Sequence, residues 1–382
     1  MSFDRFSHTD MSVRDKFWQI NWGLVAIVCV IAIIGFAMLY SAANGSFDPW
    51  ASRQMARFAV GLVIMFAVAL IDIRLWLRSA YAIYLAALAL LVAVEVAGAA
   101  GMGAQRWLSL GFITLQPSEI MKVAMILALA RYFHKISAEE IARPHYLLWP
   151  LALIALPMLL VLRQPDLGTA GMLVLVSGVV FFMAGVRLWK FGVVFGAGLA
   201  MIPIGWPFLR VYQQQRILTF FNPEGDPLGS GYHIMQSKIA LGSGGIFGKG
   251  FMLGSQGHLN FLPEKQTDFI FTMLAEEFGI MGGLFLLGLY VLVLIYGFAI
   301  ALRSRNQFGR LIAIGVTATF FFYVFINMAM VMGLVPVVGV PLPLISYGGT
   351  SMLTLLFSFG LLIGVYIHRD IVIERYGDAQ SL

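Results

Sequence analysis

Residues 279–301 read GIMGGLFLLGLYVLVLIYGFAIA, without a single charged side chain. An α-helix rises ~1.5 Å per residue, so about 20 apolar residues cross the hydrocarbon layer of a bilayer. This stretch is long enough by itself, which leaves residues 268–278 free to form a separate segment at the membrane rim. Working outward, similar apolar runs lie near residues 20–40, 56–71, 80–99, 120–133, 146–162, 168–185, 191–209, 269–302, 311–334 and 347–367. The fourth is short. The expected fold is all-α: a polytopic membrane protein of about ten transmembrane helices, a single domain over residues 1–382.

Composition agrees. The chain is 60% hydrophobic and 12% charged, with a mean hydropathy of +0.87, whereas soluble domains carry roughly 25% charged residues. The net charge of +6 does not point to nucleic acid, because the basic residues are scattered singly between apolar runs. The one cysteine, Cys29, lies inside the first run and reads as a small apolar residue, excluding an intrachain disulfide or a thiolate metal cluster. The N-terminal segment lacks a signal-peptide pattern, since the first apolar run is longer than an h-region.

Lys and Arg in short connections set orientation. One side carries Arg5, Arg14, Lys16, Arg74, Arg78, Arg131, Lys135, Arg143, Arg187, Lys190, Arg303, Arg305, Arg310, Arg369 and Arg375; the other carries Arg53, Arg57, Arg106 and Arg163. Both termini are therefore expected in the cytoplasm. A long extracytoplasmic loop over residues 210–268, between the seventh and eighth spans, holds too many apolar residues for a linker, and residues 232–241 read as a short helix.

Four polar groups fall on the outward side. The first is GAQRWL (103–108) followed by QPSEIMK (116–122), where Pro117 suits a first helical turn and Glu119 and Lys122 share a face. A structural ion pair and a polar cavity floor are both consistent with that spacing. The second is RQPDLGT (163–169), either hairpin punctuation or, through Arg163, a phosphate contact. The third is FLPEKQTDFIF (261–271), in which Thr267 or Asp268 caps the next helix or Asp268 does chemistry. The fourth is GVPLPLISYGGT (339–350), which includes Ser346; irregular backbone of this kind is tolerated at membrane depth only against protein or a cavity. GSGGIFGKG (242–250) only superficially resembles a phosphate-binding P-loop: Ser243 and Gly250 break the pattern.

These motifs, with NP at 222–223 and AEE at 275–277, resemble in content and order the SEDS family (shape, elongation, division and sporulation), the RodA type more than the division paralogue FtsW. The resemblance implies a peptidoglycan glycosyltransferase of the bacterial cytoplasmic (inner) membrane, serving cell elongation and shape. Its substrates would be lipid II and the nascent glycan strand, and its partners a class B penicillin-binding protein and other rod-complex proteins. It makes Asp268 the essential aspartate, Glu119 and Lys122 a functional pair, and Arg106 an arginine of the same loop. On chemical grounds a carboxylate takes the acceptor hydroxyl proton, and cations stabilise the leaving pyrophosphate. Arg106, Arg163, Arg216, Lys249 and Lys265 are the candidates for that second role, undifferentiated by sequence. A divalent cation (Mg or Mn) is compatible, but no ligand cluster demands one. A lipid-linked precursor flippase, its path lined by Glu95, Glu119 and Lys122, is the competing reading, and a non-catalytic scaffold a third. The polyprenyl anchor stays in the bilayer at ~0.8 kcal/mol per buried methylene, so a lateral groove between helices is expected.

Overall fold

The computed structural model describes residues 11–101, 104–109, 114–209, 211–222, 230–258 and 264–373. Arg5, Gly103, Arg210, Pro223, Phe261 and Arg375, all used above, lie outside the described residues. The chain runs through α1 (Val13–Trp18), α2 (Trp22–Ala42), α3 (Ala51–Leu70) and α4 (Ile73–Ala97) to a small antiparallel sheet. That sheet orders β1 (Ala99–Gly101), β2 (Ala104–Ser109) and β3 (Thr114–Leu115). After it come α5 (Pro117–Lys135), α6 (Ala138–Ala142), α7 (Leu148–Arg163), α8 (Leu167–Ala184) and α9 (Leu188–Gly205). The long connection contains α10 (Val211–Phe221), α11 (Ser230–Ser243) and α12 (Ser255–His258), and the chain closes with α13 (Ile270–Arg303), α14 (Gln307–Val331) and α15 (Gly349–Ile367).

Among the described residues nine helices are long and apolar enough to cross a membrane. The expected tenth is α5, 19 residues long, which carries Glu119, Lys122, Arg131 and Lys135. Its charge is tolerated because the helix is wrapped by protein: nearly its whole length is buried against α4, α7, α8 and α14. Its start is where Pro117 suggested a first helical turn, three residues before the apolar run itself begins. Sequence placed the starts of α3 and α4 late, because Arg53, Arg57, Arg74 and Arg78 sit inside those helices, where long cationic side chains reach the interface while their stems stay apolar.

α14 forms the centre, packed on α5, α8, α13 and α15. α9 is its opposite: Lys190 is its one buried residue.

α13 is broken at Gly279 (φ +67, ψ −165), where the sequence placed the boundary. The GSGGIFGKG loop explains how the break is tolerated. Ile280 and Met281 donate backbone N–H to Gly245 O (3.0 Å) and Ile246 O (3.1 Å), while Lys249 and Gly250 donate theirs to Glu276 O and Glu277 O (both 3.0 Å). Every backbone group freed at this depth needs such a partner. The loop's glycines are therefore required for close approach to the helix: a Cβ on Gly244 or Gly248 would strike the carbonyls of Ala275 and Glu277.

Candidate active site

The loops on one side of the bundle enclose a cavity of about 340 Å³, and the polar groups singled out in the sequence converge there. β2 supplies Arg106 and Trp107, the first turns of α5 supply Glu119 and Lys122, and the start of α8 supplies Asp166 and Thr169. Arg216 comes from α10, Glu264, Thr267 and Asp268 from the turn before α13, and Tyr323 from α14; residues 338–341 and 347–348 complete the wall.

Asp268 is not a helix cap. The N-cap position of α13 belongs to Phe269, and no side chain caps it. Thr267 Oγ donates to Glu264 O (3.2 Å) and Glu264 Oε2 (3.1 Å), closing the turn without Asp268. The partly buried Asp268 carboxylate is left facing the cavity. Gly339 (φ +71) crosses it so closely that a Cβ there would lie 3.4 Å from Oδ2. Burial pushes the Asp268 carboxyl from 3.8 up to about 6; the Glu264 carboxylate adds to the rise and Arg216 opposes it. Asn327 Nδ2 donates to both Asp268 O (3.1 Å) and Val340 O (2.7 Å), joining the aspartate's backbone to the overlying loop.

Glu119 and Lys122 form the pair expected from their spacing, Nζ to Oε1 at 2.7 Å and both buried. Tyr323 completes it from the neighbouring helix: its hydroxyl donates to Glu119 Oε2 at 2.5 Å and meets Lys122 Nζ. Arg106 is fixed by the 163–169 turn, with Nη2 donating to Pro165 O (2.6 Å) and Nε 3.8 Å from Asp166 Oδ2. Asp166 in turn caps α8 through Thr169 N (3.1 Å) and Thr169 Oγ1 (2.9 Å). Arg216 Nη1 donates to Val337 O (3.1 Å) and lines both this cavity and an adjoining one of about 230 Å³.

The cavity thus brings together Asp268, Glu119, Lys122, Arg106 and Arg216. The remaining candidates stand elsewhere. Arg163 is exposed and pairs with Glu95 at 3.7 Å, because it ends α7 facing out. Lys249 is held by Glu276 (2.7 Å) beside Ser255, closing the Gly279 break. Lys265 donates to Gly257 O (2.9 Å), and burial draws its ammonium below the usual lysine range. Ser346 Oγ donates to Thr267 O (2.5 Å) and accepts from Leu342 N (2.7 Å), clamping the 339–350 loop to the Asp268 turn. Tyr323 and Asn327 escaped the sequence reading, although polar side chains within a mostly apolar run were the available signal.

Asp166, Glu264 and Asp268 line one cavity. Among the described residues no group of three or more His, Cys, Asp or Glu could hold a metal ion.

A second cavity of about 670 Å³ adjoins the first. It opens between α3, α4, α5 and α15 and is lined mainly by apolar residues such as Val60, Ile64, Ile120, Val123, Leu353 and Phe357. The segment from Tyr347 to Thr350 separates the two: Tyr347 and Gly348 face the polar cavity, Gly349 and Thr350 the groove.

The family model described as "Cell cycle protein" (FtsW, RodA, SpoVE) matches residues 19–371. The peptidoglycan glycosyltransferase MrdB of Escherichia coli (strain K12) is 43% identical over 368 residues, covering 95% of this chain and 99% of that one. RodA of Treponema pallidum (strain Nichols) is 31% identical over 418 residues, covering 90% and 96%. Among solved structures, a chain from a peptidoglycan synthase complex superposes with a TM-score of 0.78 at 34% identity, covering 92% of this chain and 98% of that one. Thermus thermophilus RodA superposes with a TM-score of 0.70 at 31% identity, covering 92% and 98%. With a match of this extent, the chain belongs to the FtsW/RodA/SpoVE family, the SEDS proteins, and is of the RodA type.

Proposed function

We propose that this chain is a peptidoglycan glycosyltransferase that polymerises glycan strands from lipid II at the outer face of the bacterial cytoplasmic membrane, for elongation and cell shape. The relatives named as peptidoglycan glycosyltransferases support the activity. The observation that carries the mechanism is Asp268: a carboxylate unused by the fold, facing a cavity ringed by Arg106, Arg216 and Lys122.

The acceptor sugar hydroxyl gives its proton to Asp268 as its oxygen bonds to the donor's anomeric carbon. The bond from that carbon to the pyrophosphate oxygen breaks, and polyprenyl pyrophosphate leaves with the electron pair. A base is most useful with a pKa near the working pH, and burial moves Asp268 in that direction. Arg106 and Arg216 place positive charge where the leaving group develops negative charge; Lys122, already engaged by Glu119, orders the floor. The apolar groove beside the cavity suits the polyprenyl tail. By the same reading, the synthase complex that couples polymerisation to crosslinking suggests a crosslinking partner here, a class B penicillin-binding protein.

Reconstitution of the full chain with labelled lipid II, with and without that partner, tests the proposal. Glycan polymer is expected from the wild type and not from Asp268→Ala. A folded wild type that moves lipid II across the bilayer yet makes no polymer replaces the polymerase with a flippase.

A further inference from the structure

One face of α14 carries Tyr323, Asn327 and Val331 at four-residue spacing. It lies against the two segments that enclose the Asp268 carboxylate. Val331 and Met330 pack on Phe269, the residue after Asp268. Tyr323 and Met172 pack on Val340, the residue after Gly339. Asn327 stands between these apolar anchors and is 0% exposed. Its Nδ2 has two hydrogens and gives both to the backbone, one to Asp268 O (3.1 Å) and one to Val340 O (2.7 Å).

This orientation of the amide is forced, since Oδ1 in the same place would face two carbonyl oxygens. It leaves Oδ1 buried, with no hydrogen-bond donor among the described residues. A buried polar atom without a partner is costly, and a side chain that served packing alone would be apolar. What offsets the cost is that Nδ2 satisfies two carbonyls of irregular backbone together. The covering of Asp268 depends on that bridge: a Cβ on Gly339 would lie 3.4 Å from Asp268 Oδ2, so the two segments are already in close approach. The charges around the carboxylate come from other elements. They are Glu264 in its own turn, Arg216 on α10, Arg106 on β2, Glu119 and Lys122 on α5 and Asp166 on α8, whereas residues 338–341 bring none.

We infer that Asn327 is a positioning residue for Asp268: its amide holds the aspartate turn and residues 339–340 in register on α14, and so keeps the carboxylate covered and aimed into the cavity. For the chemistry that the carboxylate performs, this rests on the glycosyltransferase reading. Asn327 touches no reacting atom in it and acts through Asp268.

The test uses the full chain, with Asn327→Leu removing both donors while keeping a branched side chain. Lipid II polymerisation and thermal unfolding are each followed against pH. Asn327→Leu is expected to lower kcat ~10–100-fold, the worth of a misplaced catalytic group, with KM nearly unchanged. Loss of cover lets water reach the carboxyl, so the midpoint of the rate profile should fall from about 6 toward 3.8. The unfolding profile reports the same group without turnover. A carboxyl whose folded value is raised contributes stability that is lost as pH rises through that value. In Asn327→Leu this loss should move from about 6 toward 3.8, and in Asp268→Asn it should vanish whether or not Asn327 is also changed. A lower rate with both midpoints unmoved makes Asn327 a packing residue and overturns the inference, as does a kcat within about twofold of wild type. If Asn327→Leu does not fold, Asn327→Ser decides, because one hydroxyl donates to only one of the two carbonyls: midpoints that move partway toward 3.8 support the inference, and unmoved midpoints overturn it. A wild type that makes no polymer removes the glycosyltransferase, and an unfolding midpoint that still moves then supports the positioning; polymer with unmoved midpoints removes the positioning alone.

Discussion

The polar cavity and the apolar groove share a wall, yet they are built on opposite terms. α5 serves both: Glu119 and Lys122 face the cavity, while Ile120, Val123 and Ala124 face the groove. Neighbouring residues point ~100° apart on a helix, so one turn of α5 presents ions to one chamber and hydrocarbon to the other. The cavity confines charge by surrounding it with paired partners. Among the described residues the groove excludes charge except at Arg57. The proposed substrate, sugar at one end and isoprenoid at the other, needs both environments within one molecular length, and a single helix with a sharp polar-to-apolar boundary provides them.

The largest expected effect that would break this contrast lies in the cavity. Asp268→Asn should lower polymerisation by ~10²–10⁴, the usual worth of a general base, with the melting temperature kept; a loss under tenfold removes Asp268 from that role. The wild-type rate should rise with pH through about 6 as Asp268 ionises. Stability should move the opposite way. A carboxyl whose folded pKa lies above its unfolded 3.8 contributes stability that is complete below 3.8 and lost as pH rises through about 6. Rate and stability profiles crossing in opposite directions, and flattening together in Asp268→Asn, would assign both to this one group.

Lys122→Met comes next. It leaves Glu119 buried without its cation, which costs about 3–5 kcal/mol; the double variant Glu119→Gln, Lys122→Met should recover much of that in thermal unfolding. Equal losses in single and double variants would show that the pair is not what holds the cavity floor.

A smaller change concerns the break that positions the Asp268 turn. Gly279→Ala places a Cβ at φ +67 against the 242–250 loop and should cost about 1–3 kcal/mol, with KM nearly unchanged. The smallest effect belongs to the groove. Leu353→Trp shortens the space for the tail; two methylenes left unburied at ~0.8 kcal/mol each amount to about tenfold in KM. A short-chain lipid II analogue should show no such change, and an equal penalty for both chain lengths would place the tail elsewhere.

Much of this was legible in the chain. Nine of the membrane helices followed from apolar length, the Glu119–Lys122 pair from its spacing, and the division of α13 at Gly279 from an apolar stretch already long enough without the preceding acidic turn. Each depends on relations within one helix, where local geometry is fixed by the backbone repeat. The candidates that dispersed were those whose fate depends on distant partners. Lys249 and Arg216 are both isolated cations in the same long loop, and nothing local distinguishes them. Glu276 claims Lys249 to close a broken helix, whereas Arg216 is carried by α10 to the cavity wall.

By itself the sequence determined that this chain is a bundle of membrane helices with its polar motifs gathered in the loops of one side, since hydrophobic length and charge placement act residue by residue. Only the tertiary structure decided which of those polar residues meet. Tyr323 reaches Glu119, and Arg57 reaches the start of α15, across separations the chain bridges only by folding. In a bundle, helices pack by surface shape, and a side chain's neighbours across that packing are set by the whole assembly rather than by the residues beside it.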